Sequence, residues 1–459
     1  MAKSFRTIRD DIMQVQGVQQ FLVAGVLLFG GLLLTVPPAQ AQSNGEGTIY
    51  SRFGLGTLTE FSSSQSQALG GGGFALRTLN YNPDSNPALW SDQVFTRLSG
   101  GAVAQSVVTS DGSGDSGQLS SGNVQAVQFN FPLYERKLGV GLSFQPYSQS
   151  NYSAVQRGQV NVGPQQNTEA AYRVNFEGSG GLHRLRGGLG YRISEVLRVG
   201  ATADLLFGVI ESRRRTTWEN AQTLRNVLVS DGVQLSGLTT TIGSHLALAD
   251  VFADDDALSI GAAVTLPASL SGDRFRTLNE DLARDTLSSR RGDVTLPLQA
   301  RLGVSYQPTP TWTFVADGSF DPWSTASSDF SGGSADTSPV RFPVGGTATL
   351  ADRWRLSTGA EVVPAGDDQL AGYFAQIAYR FGGYVEHMYV RPDRQTDLYE
   401  SAVTAGVSLP TSLSGTRIDL NTRVGARGTT SNSLVRDTFF GVSLHVNFGE
   451  RWFTRRKLR

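Results

Sequence analysis

The chain has 459 residues, no cysteine and a nearly balanced charge, with 39 Lys and Arg against 40 Asp and Glu. The lack of cysteine excludes disulfides, thiolate metal sites and cysteine nucleophiles, and the balanced charge argues against a nucleic-acid partner. Charged residues make up only 17% of the chain and 53 residues are glycine, a composition that favours a glycine-rich β protein in an unusual solvent.

The first 41 residues follow the order of a cleaved secretory signal. Lys3, Arg6 and Arg9 precede the apolar run at residues 21–34, and a small-residue site ending at Ala41 follows. A transmembrane anchor is the competing interpretation, but this run is shorter than the about 20 residues that a spanning helix needs. We predict a signal peptide at residues 1–41, cleaved after Ala41, in a bacterium with two membranes.

Residues 42–92 carry four consecutive glycines, Gly70 to Gly73, ahead of two Asn-Pro pairs. A phosphate-binding loop is rejected because no Gly-Lys-Ser/Thr follows and no helical pattern begins there. A solvated linker would not keep apolar groups such as Phe74 and Trp90 exposed. We therefore expect this segment to be buried inside the rest of the chain.

From about residue 94 onward, apolar side chains alternate with polar or small ones, which is the pattern of β-strands. Between Leu197 and Val209, for example, one face is apolar and the other carries Arg198 and Asp204. Alternation alone does not separate a soluble sandwich from a membrane barrel. Short connections such as residues 134–137 alternate with long polar stretches such as residues 213–234 and 278–291, which is typical of outer-membrane barrels.

We therefore predict an all-β fold: a transmembrane antiparallel β-barrel at residues 93–449, followed by a short basic periplasmic tail at residues 450–459. The alternation gives fifteen segments, whereas single-chain bacterial barrels have an even number of strands. We predict about 14 strands, with 16 as the alternative, and place the miscount between Arg353 and Val390.

Charged side chains on the strands should face the lumen, because an arginine facing lipid at the bilayer midplane would cost about 2–4 kcal/mol. Such a lining could bind anionic head groups, or it could form ion pairs that hold the barrel's shape. The predicted lumen charges are Arg184, Arg186, Arg198, Asp204, Arg301, Arg355, Glu361, Arg417, Asp419 and Arg423.

Three glycines, Gly178, Gly180 and Gly181, interrupt one predicted strand in mid-course. Glycine inside a strand marks a bulge, a bend or the close approach of another backbone. A bend here could open a gap in the barrel wall. The glycines could equally mark a simple hairpin or the end of a loop.

Enzyme motifs are missing from the sequence. The four histidines are widely separated, and neither HExxH nor GxSxG occurs. A barrel phospholipase or protease built from scattered Ser, His and Asp is the remaining alternative, although no pair of nucleophile and base can be named. We predict no catalytic, metal or cofactor site.

Several stretches carry a resemblance to a known family. They are YSRFGLG at residues 50–56, ALGGGGFALR and NPDSNPALWS before the first strand, GSGGLHRLRGGLGYRI at residues 178–193, and the closing RGTTSNSLVRDTFFGVSLHVNFGERWFTRRK. Together they span almost the whole mature chain. The chain resembles the FadL-like group of outer-membrane transport proteins, particularly uncharacterised members from Bacteroidetes-like bacteria.

The resemblance implies a fourteen-stranded barrel whose N-terminal segment, residues 42–92, folds inside as a hatch, with Asn86, Pro87 and Ala88 matching the hatch's NPA motif. Members of the group move hydrophobic molecules such as long-chain fatty acids toward a lateral gap at a kinked strand, for which Gly178 to Gly181 is the candidate. The lumen departs from the group because it is rich in arginine and offers no obvious long apolar channel.

We therefore expect a passive outer-membrane transporter or channel for hydrophobic or amphipathic small molecules, with a hatch and a lateral opening and without a cofactor. The alternative is a non-transporting barrel that acts as a structural, surface or secretion-machinery partner, as PorV-like relatives do. The expected partners are outer-membrane lipids, a hydrophobic ligand and the barrel assembly machinery during insertion.

Overall fold

The computed structural model describes residues 47–162, 168–219, 224–280, 283–330, 348–368, 370–413 and 415–451. The predicted signal peptide and its cleavage site after Ala41 lie outside these ranges, as do residues 452–459 of the predicted tail. Among the described residues, no helix is long and apolar enough to cross a membrane.

Fourteen strands of the described residues form one closed antiparallel barrel, as predicted. The barrel closes where the last strand pairs with the first, from Thr96 opposite Glu450 to Ser110 opposite Arg436. The strands are β1 (Thr96–Ser110), β2 (Ser116–Tyr134), β3 (Leu138–Pro146 and Tyr152–Val162), β4 (Thr168–Arg192), β5 (Leu197–Trp218), β6 (Val227–Ala249), β7 (Ala257–Thr265 and Ala268–Glu280), β8 (Ala283–Leu296 and Gln299–Thr309), β9 (Trp312–Asp321), β10 (Arg353–Val362), β11 (Ala378–His387), β12 (Tyr399–Pro410), β13 (Arg417–Gly428) and β14 (Arg436–Glu450).

The predicted miscount between Arg353 and Val390 is wrong, because the two segments that the sequence places there are two barrel strands; most of the segment predicted at residues 340–351 lies outside the described residues. β10 and β11 both occur in that range as separate strands. In the described part of residues 340–351, Thr349–Leu350 forms a two-residue strand that pairs with Val390–Arg391 outside the barrel wall. Alternation indicates an extended backbone but does not say which partner it pairs with.

Two of the stretches predicted as long loops are mostly strand. In the stretch at residues 213–234, β5 continues to Trp218 and β6 already begins at Val227. In the stretch at residues 278–291, the pairing of β7 with β8 extends to Glu280 opposite Ala283. The β5 extension at residues 213–218 is hidden in the sequence because its first five residues are all Arg or Thr, and the period-2 signal requires one apolar face.

The two ends of the barrel differ and are named here by their connections. The turn end holds residues 135–137, 193–196 and 310–311, and β1 begins and β14 ends there. The loop end holds residues 111–115, 388–398 and 429–435.

The outer surface of the wall is apolar and its inner surface is polar. Outward-facing Leu189 and Leu302 are 50% and 57% exposed, whereas Arg186 and Ser443, which face inward, are 3% and 2% exposed. This arrangement is the reverse of a soluble barrel and is the one that a lipid solvent requires. The sequence therefore alternates between lipid-facing and lumen-facing positions.

The barrel interior is filled by residues 47–92, which we call the plug segment. It contains a short helix α1 (Ser64–Ala68) and two 3-10 helices, Ile49–Arg52 and Pro87–Asp92. It begins near the loop end, where the Tyr50 hydroxyl donates to the Val435 carbonyl. It ends near the turn end, where Trp90 packs against β3.

Candidate functional site: the barrel lumen

The NPA tripeptide is the point at which the plug segment is joined to the wall. The Asn86 carboxamide oxygen accepts a hydrogen bond from the Ala88 amide at 3.1 Å and so caps the 3-10 helix that Pro87 begins. The Asn86 amide group donates to the carbonyls of Phe74 at 2.9 Å and of Ser244, in β6, at 3.0 Å. One side chain thus links two parts of the plug segment to a barrel strand.

The wall around this helix is lined by glycines, which we call the glycine cradle. A Cβ at Gly141 would lie 2.7 Å from the Trp90 ring, and a Cβ at Gly190 would lie 2.8 Å from the Ser91 nitrogen. Only glycine lets two backbones approach this closely. The cradle consists of Gly139, Gly141, Gly190, Gly200 and Gly243.

Replacing a cradle glycine should displace the plug segment. We expect Gly190→Val to destabilise the barrel by about 1–3 kcal/mol through overpacking and to speed hydrogen exchange at residues 86–91. The measurement is hydrogen exchange read by mass spectrometry, together with denaturant unfolding. Gly187→Val is the matched control, because Gly187 lies on the same strand but its Cβ would point to the Leu142 side chain, at 3.1 Å. Equal effects of both substitutions would contradict the cradle.

The four consecutive glycines bind a carboxylate of the wall. Gly70, Gly71 and Gly73 have φ angles of 82°, 85° and 109°, a region that disfavours other residues. The amides of Gly73 and Phe74 donate to the Asp317 carboxylate at 2.7 and 3.0 Å. The sequence analysis did not identify Asp317 as a partner of the glycine run. The one sign of this role in the sequence is that an acidic residue occupies an inward-facing position of β9.

Buried ion pairs connect the plug segment to the wall at several heights. Arg186 of β4 lies 2.7 Å from Asp204 of β5 and 3.1 Å from Asp84 of the plug segment, and all three side chains are at most 3% exposed. Arg184 lies 3.7 Å from Asp84. Removing one partner of such a cluster leaves a buried charge uncompensated, which is costly.

The other predicted lumen charges also face inward. Their contacts are Arg198 with Asp92 at 2.6 Å, Arg301 with Glu60 at 3.6 Å, Arg355 with Glu386 at 3.2 Å, Glu361 with Arg380 at 2.5 Å, Asp419 with Arg380 at 3.2 Å, Arg417 with Ser408 at 2.8 Å, and Arg423 with Gln105 at 2.5 Å. Sequence reasoning missed the plug carboxylates among these partners. The sequence could have indicated these pairs, because acidic residues in a segment predicted to be buried need basic partners on the wall.

The cavities beside the middle of the plug segment, at residues 57–62, are small and polar. One has a volume of about 70 Å³ and is lined by charged groups that include Arg355, Glu386 and Glu400. The other, with a volume of about 40 Å³, is lined by Glu60, Arg353 and neighbouring arginines. Cavities of this size and polarity suit a few water molecules. We call this level of the lumen the polar layer.

Nearer the loop end the lumen is apolar, which sets this level apart from the polar layer. Leu55 of the plug segment meets inward side chains of the wall such as Leu235, together with Trp323 and Phe330 from the segment after β9. The Trp323 ring lies 4.8 Å from the Tyr389 ring, and its indole nitrogen is buried without a hydrogen-bond partner among the described residues. We call this group the upper apolar cluster.

The predicted kink glycines lie in a strand that is hydrogen-bonded on both sides. β4 pairs with β5 through Gly180 and Gly181, and the Ser150 amide donates to the Gly180 carbonyl at 2.8 Å. Gly180 and Gly181 have φ angles of 91° and 147°.

The strand that bends is β3, the neighbour of β4. Between its two segments, Ser148–Gln149 turns inward and pairs with Thr57–Leu58 of the plug segment. Beyond this bend, within the described ranges, β3 pairs with β4 alone, and residues 116–126 of β2 pair with β1 alone. The wall therefore contains a notch between these two strand edges. The start of the plug segment lies there, since Gly47 packs against the Leu119 side chain and the Thr48 amide donates to the Asn151 carbonyl at 3.0 Å.

The opening predicted at Gly178, Gly180 and Gly181 stays a prediction. These glycines lie beside the bend in β3, and Pro146 marks the place where the alternation of β3 ends.

The histidines of the described residues do not form a catalytic pair. Both ring nitrogens of His387 are engaged, one with the Asp352 carbonyl at 2.6 Å and one with Asp397 at 3.0 Å. His445 contacts Gln125 and His245 contacts the Ala75 carbonyl. In the same part of the chain, no group of three or more acidic or histidine side chains is arranged to hold a metal ion.

The loop at residues 388–398 joins β11 to β12 at the loop end, and its exposed part contains a carboxylate held by hydrogen bonds. The Thr396 hydroxyl, followed by the backbone amides of Thr396 and Gln395, lowers the pKa of Asp393 from 3.8 to about 2. Because the folded pKa is lowered, this contribution to stability is present above pH 3.8 and is lost as the pH falls through about 2.

Comparisons with known proteins give both a family and a fold. The BamG family model matches residues 24–459. The toluene transporter TbuX of Ralstonia pickettii is 18% identical, with 85% of this chain and 99% of that chain covered and a TM-score of 0.53. A FadL homologue of Pseudomonas aeruginosa is 12% identical, with 86% and 99% covered and a TM-score of 0.55. The monoaromatic hydrocarbon channel CymD is 14% identical, with 88% and 100% covered and a TM-score of 0.53. No curated protein matches the chain.

Proposed function

Because the chain belongs to the BamG family and has the barrel fold of FadL-like outer-membrane proteins, we propose that it is a passive channel for hydrophobic or amphipathic small molecules. In this proposal the barrel lies in the outer membrane, exported by the signal peptide at residues 1–41. The turn end faces the periplasm and the loop end faces outward, as in other bacterial barrels.

The upper apolar cluster is the observation that carries the proposal. In this proposal the cluster is the apolar compartment that an entering hydrophobic molecule occupies, because it lies nearer the loop end than the polar layer does. Trp323 and Phe330 now fill this space and come from a segment outside the wall strands. A hydrophobic molecule arriving from outside would displace these rings and bury its own apolar surface in their place.

The polar layer directs such a molecule sideways. Passing along the barrel axis would bring it against Glu60, Arg353 and the charges around them, in cavities sized for water. Leaving through the wall avoids water, and each CH₂ group kept out of water is worth about 0.8 kcal/mol. The notch between β2 and β3 is the proposed exit, with Gly178, Gly180 and Gly181 of β4 beside the bend at its base.

Trp323→Ala tests the proposal through uptake. If Trp323 must be displaced for entry, removing its ring should lower that barrier by at least about 1.4 kcal/mol, which corresponds to about tenfold faster entry. The measurement is the fluorescence of phenylnaphthylamine entering cells that produce equal amounts of each barrel. Trp218→Ala is the control, because Trp218 lies at the loop end of β5, away from the cluster. Equal uptake by cells with and without the wild-type barrel would contradict the proposal.

A second candidate is a non-transporting barrel that works with the barrel assembly machinery, as the BamG name suggests. The observation that favours it is the number of buried ion pairs that hold the plug segment, since a moving plug would have to break them. Under this candidate Trp323→Ala leaves uptake unchanged, and the wild-type barrel copurifies in mild detergent with the central assembly barrel.

A further inference from the structure

The outer face of β10 to β13 carries an apolar groove of about 810 Å³. Its ridges are Leu356, Val385, Val403 and Val424, of which Leu356 and Val403 are 60% and 66% exposed. These side chains belong to the lipid-facing surface of the wall. The groove therefore opens toward the bilayer and not toward the lumen.

The register of the strands produces this groove. In one cross-strand row Gly383 lies between Thr358 and Val403, and in the next row Ser401 lies between Val385 and Ala426. Small residues are thus placed side by side in neighbouring rows, with larger apolar residues around them. The atoms nearest to a Cβ at Gly383 would be the Ala402 carbonyl oxygen, at 3.1 Å, and two atoms of Val403 near 4 Å.

An aromatic group closes the groove at the loop end. The Trp354 ring lies 6.1 Å from the His387 ring and 6.2 Å from the Tyr399 ring. Aromatic side chains of this kind mark the level of the lipid head groups on a membrane barrel. The groove thus runs from the head-group level into the hydrocarbon region.

The groove is separated from the lumen by Tyr384. This side chain is buried in the wall, its hydroxyl donates to Glu400 at 2.6 Å, and the Arg355 guanidinium lies 3.6 Å from the centre of its ring. The charged groups of the lumen therefore lie behind the ring. A molecule in the groove does not share the path proposed for transport.

We propose that this groove binds an acyl chain of a membrane lipid, with the lipid's head group at the level of Trp354 and Tyr399. Acyl chains surround this face, and the groove offers the apolar surface they match. Its lining has little polar surface, so an extended polypeptide backbone would leave its own polar groups unsatisfied there. The inference requires the barrel to be in a membrane but does not depend on transport.

Ser401→Leu should fill the groove and expel the lipid. Native mass spectrometry of the full barrel, washed in mild detergent, is expected to show one retained lipid on the wild type and about tenfold less on Ser401→Leu. Ala104→Leu is the matched control, because Ala104 is an exposed residue of β1, away from the groove. This variant should retain lipid as the wild type does.

The retained mass distinguishes a phospholipid from a lipopolysaccharide, and either one supports the inference. Three outcomes would overturn the inference. The wild type and Ser401→Leu could retain lipid equally, the wild type could retain no lipid, or a polypeptide could be bound in place of lipid. Heat-modified migration on gels verifies that all three barrels are folded. Phenylnaphthylamine uptake should be the same for all three, so failure of the transport proposal is detected separately.

Discussion

Deleting residues 43 to 92 is expected to turn the barrel into an open aqueous pore. The deletion removes the plug segment, and the side chains that it leaves behind on the wall are largely charged and polar. A barrel of this size with a hydrated, unobstructed lumen should conduct small solutes on the order of a general porin. The measurement is the release of a small trapped sugar from liposomes that contain equal amounts of folded barrel.

The Gly190→Val barrel keeps the whole chain and serves as a second test of the same idea. It should leak more than the wild type and less than the deletion, because only the end of the plug segment is displaced. Circular dichroism and heat-modified gel migration establish that each barrel has folded. Leakage from the folded deletion variant at the wild-type rate would refute the plug assignment.

Replacing Arg186 is expected to produce the largest loss of stability of any single substitution considered. Arg186→Ala leaves the carboxylates of Asp84 and Asp204 buried without their main partner. Breaking a buried charge cluster in this way costs about 3–5 kcal/mol. The measurement is the free energy of unfolding from denaturant titration of the barrel in lipid vesicles.

Arg173→Ala is the matched control, because Arg173 pairs with Glu219 while both side chains are more than 40% exposed. An exposed pair of this kind contributes about 0–1 kcal/mol. A double-mutant cycle of Arg186→Ala with Asp204→Ala should give a large coupling energy. If both arginine variants lose the same free energy, the cluster does not hold the structure together.

The sequence was sufficient to predict the barrel. Strand faces follow from period-2 alternation, so the alternation alone assigns positions such as Arg186 and Asp204 to the lumen. The number of strands followed from the rule of even counts. Apolar residues such as Trp90 in a non-strand segment indicated burial.

Features that depend on contacts between distant strands could not be predicted. The pairing of Arg186 with Asp84 and the contact of Asp317 with the glycine run join residues far apart in the chain. The sequence suggested a gap in the wall but not its edges, because these depend on which parts of β2 and β3 remain unpaired with each other. The lipid-facing groove depends on the register that brings Gly383 and Ser401 into neighbouring rows.

The glycine cradle has a consequence for how the molecule is assembled. Its glycines are spread over β3 to β6, whereas the seam that completes the wall joins β1 to β14. The plug segment contacts both ends of the lumen and continues into β1 at Thr96. Once the wall has closed, this segment could enter the lumen only through an open end of the barrel. We therefore expect enclosure of the N-terminal segment to accompany closure of the seam, because a plug segment that contacts four strands of the wall must be inside the lumen when β14 pairs with β1.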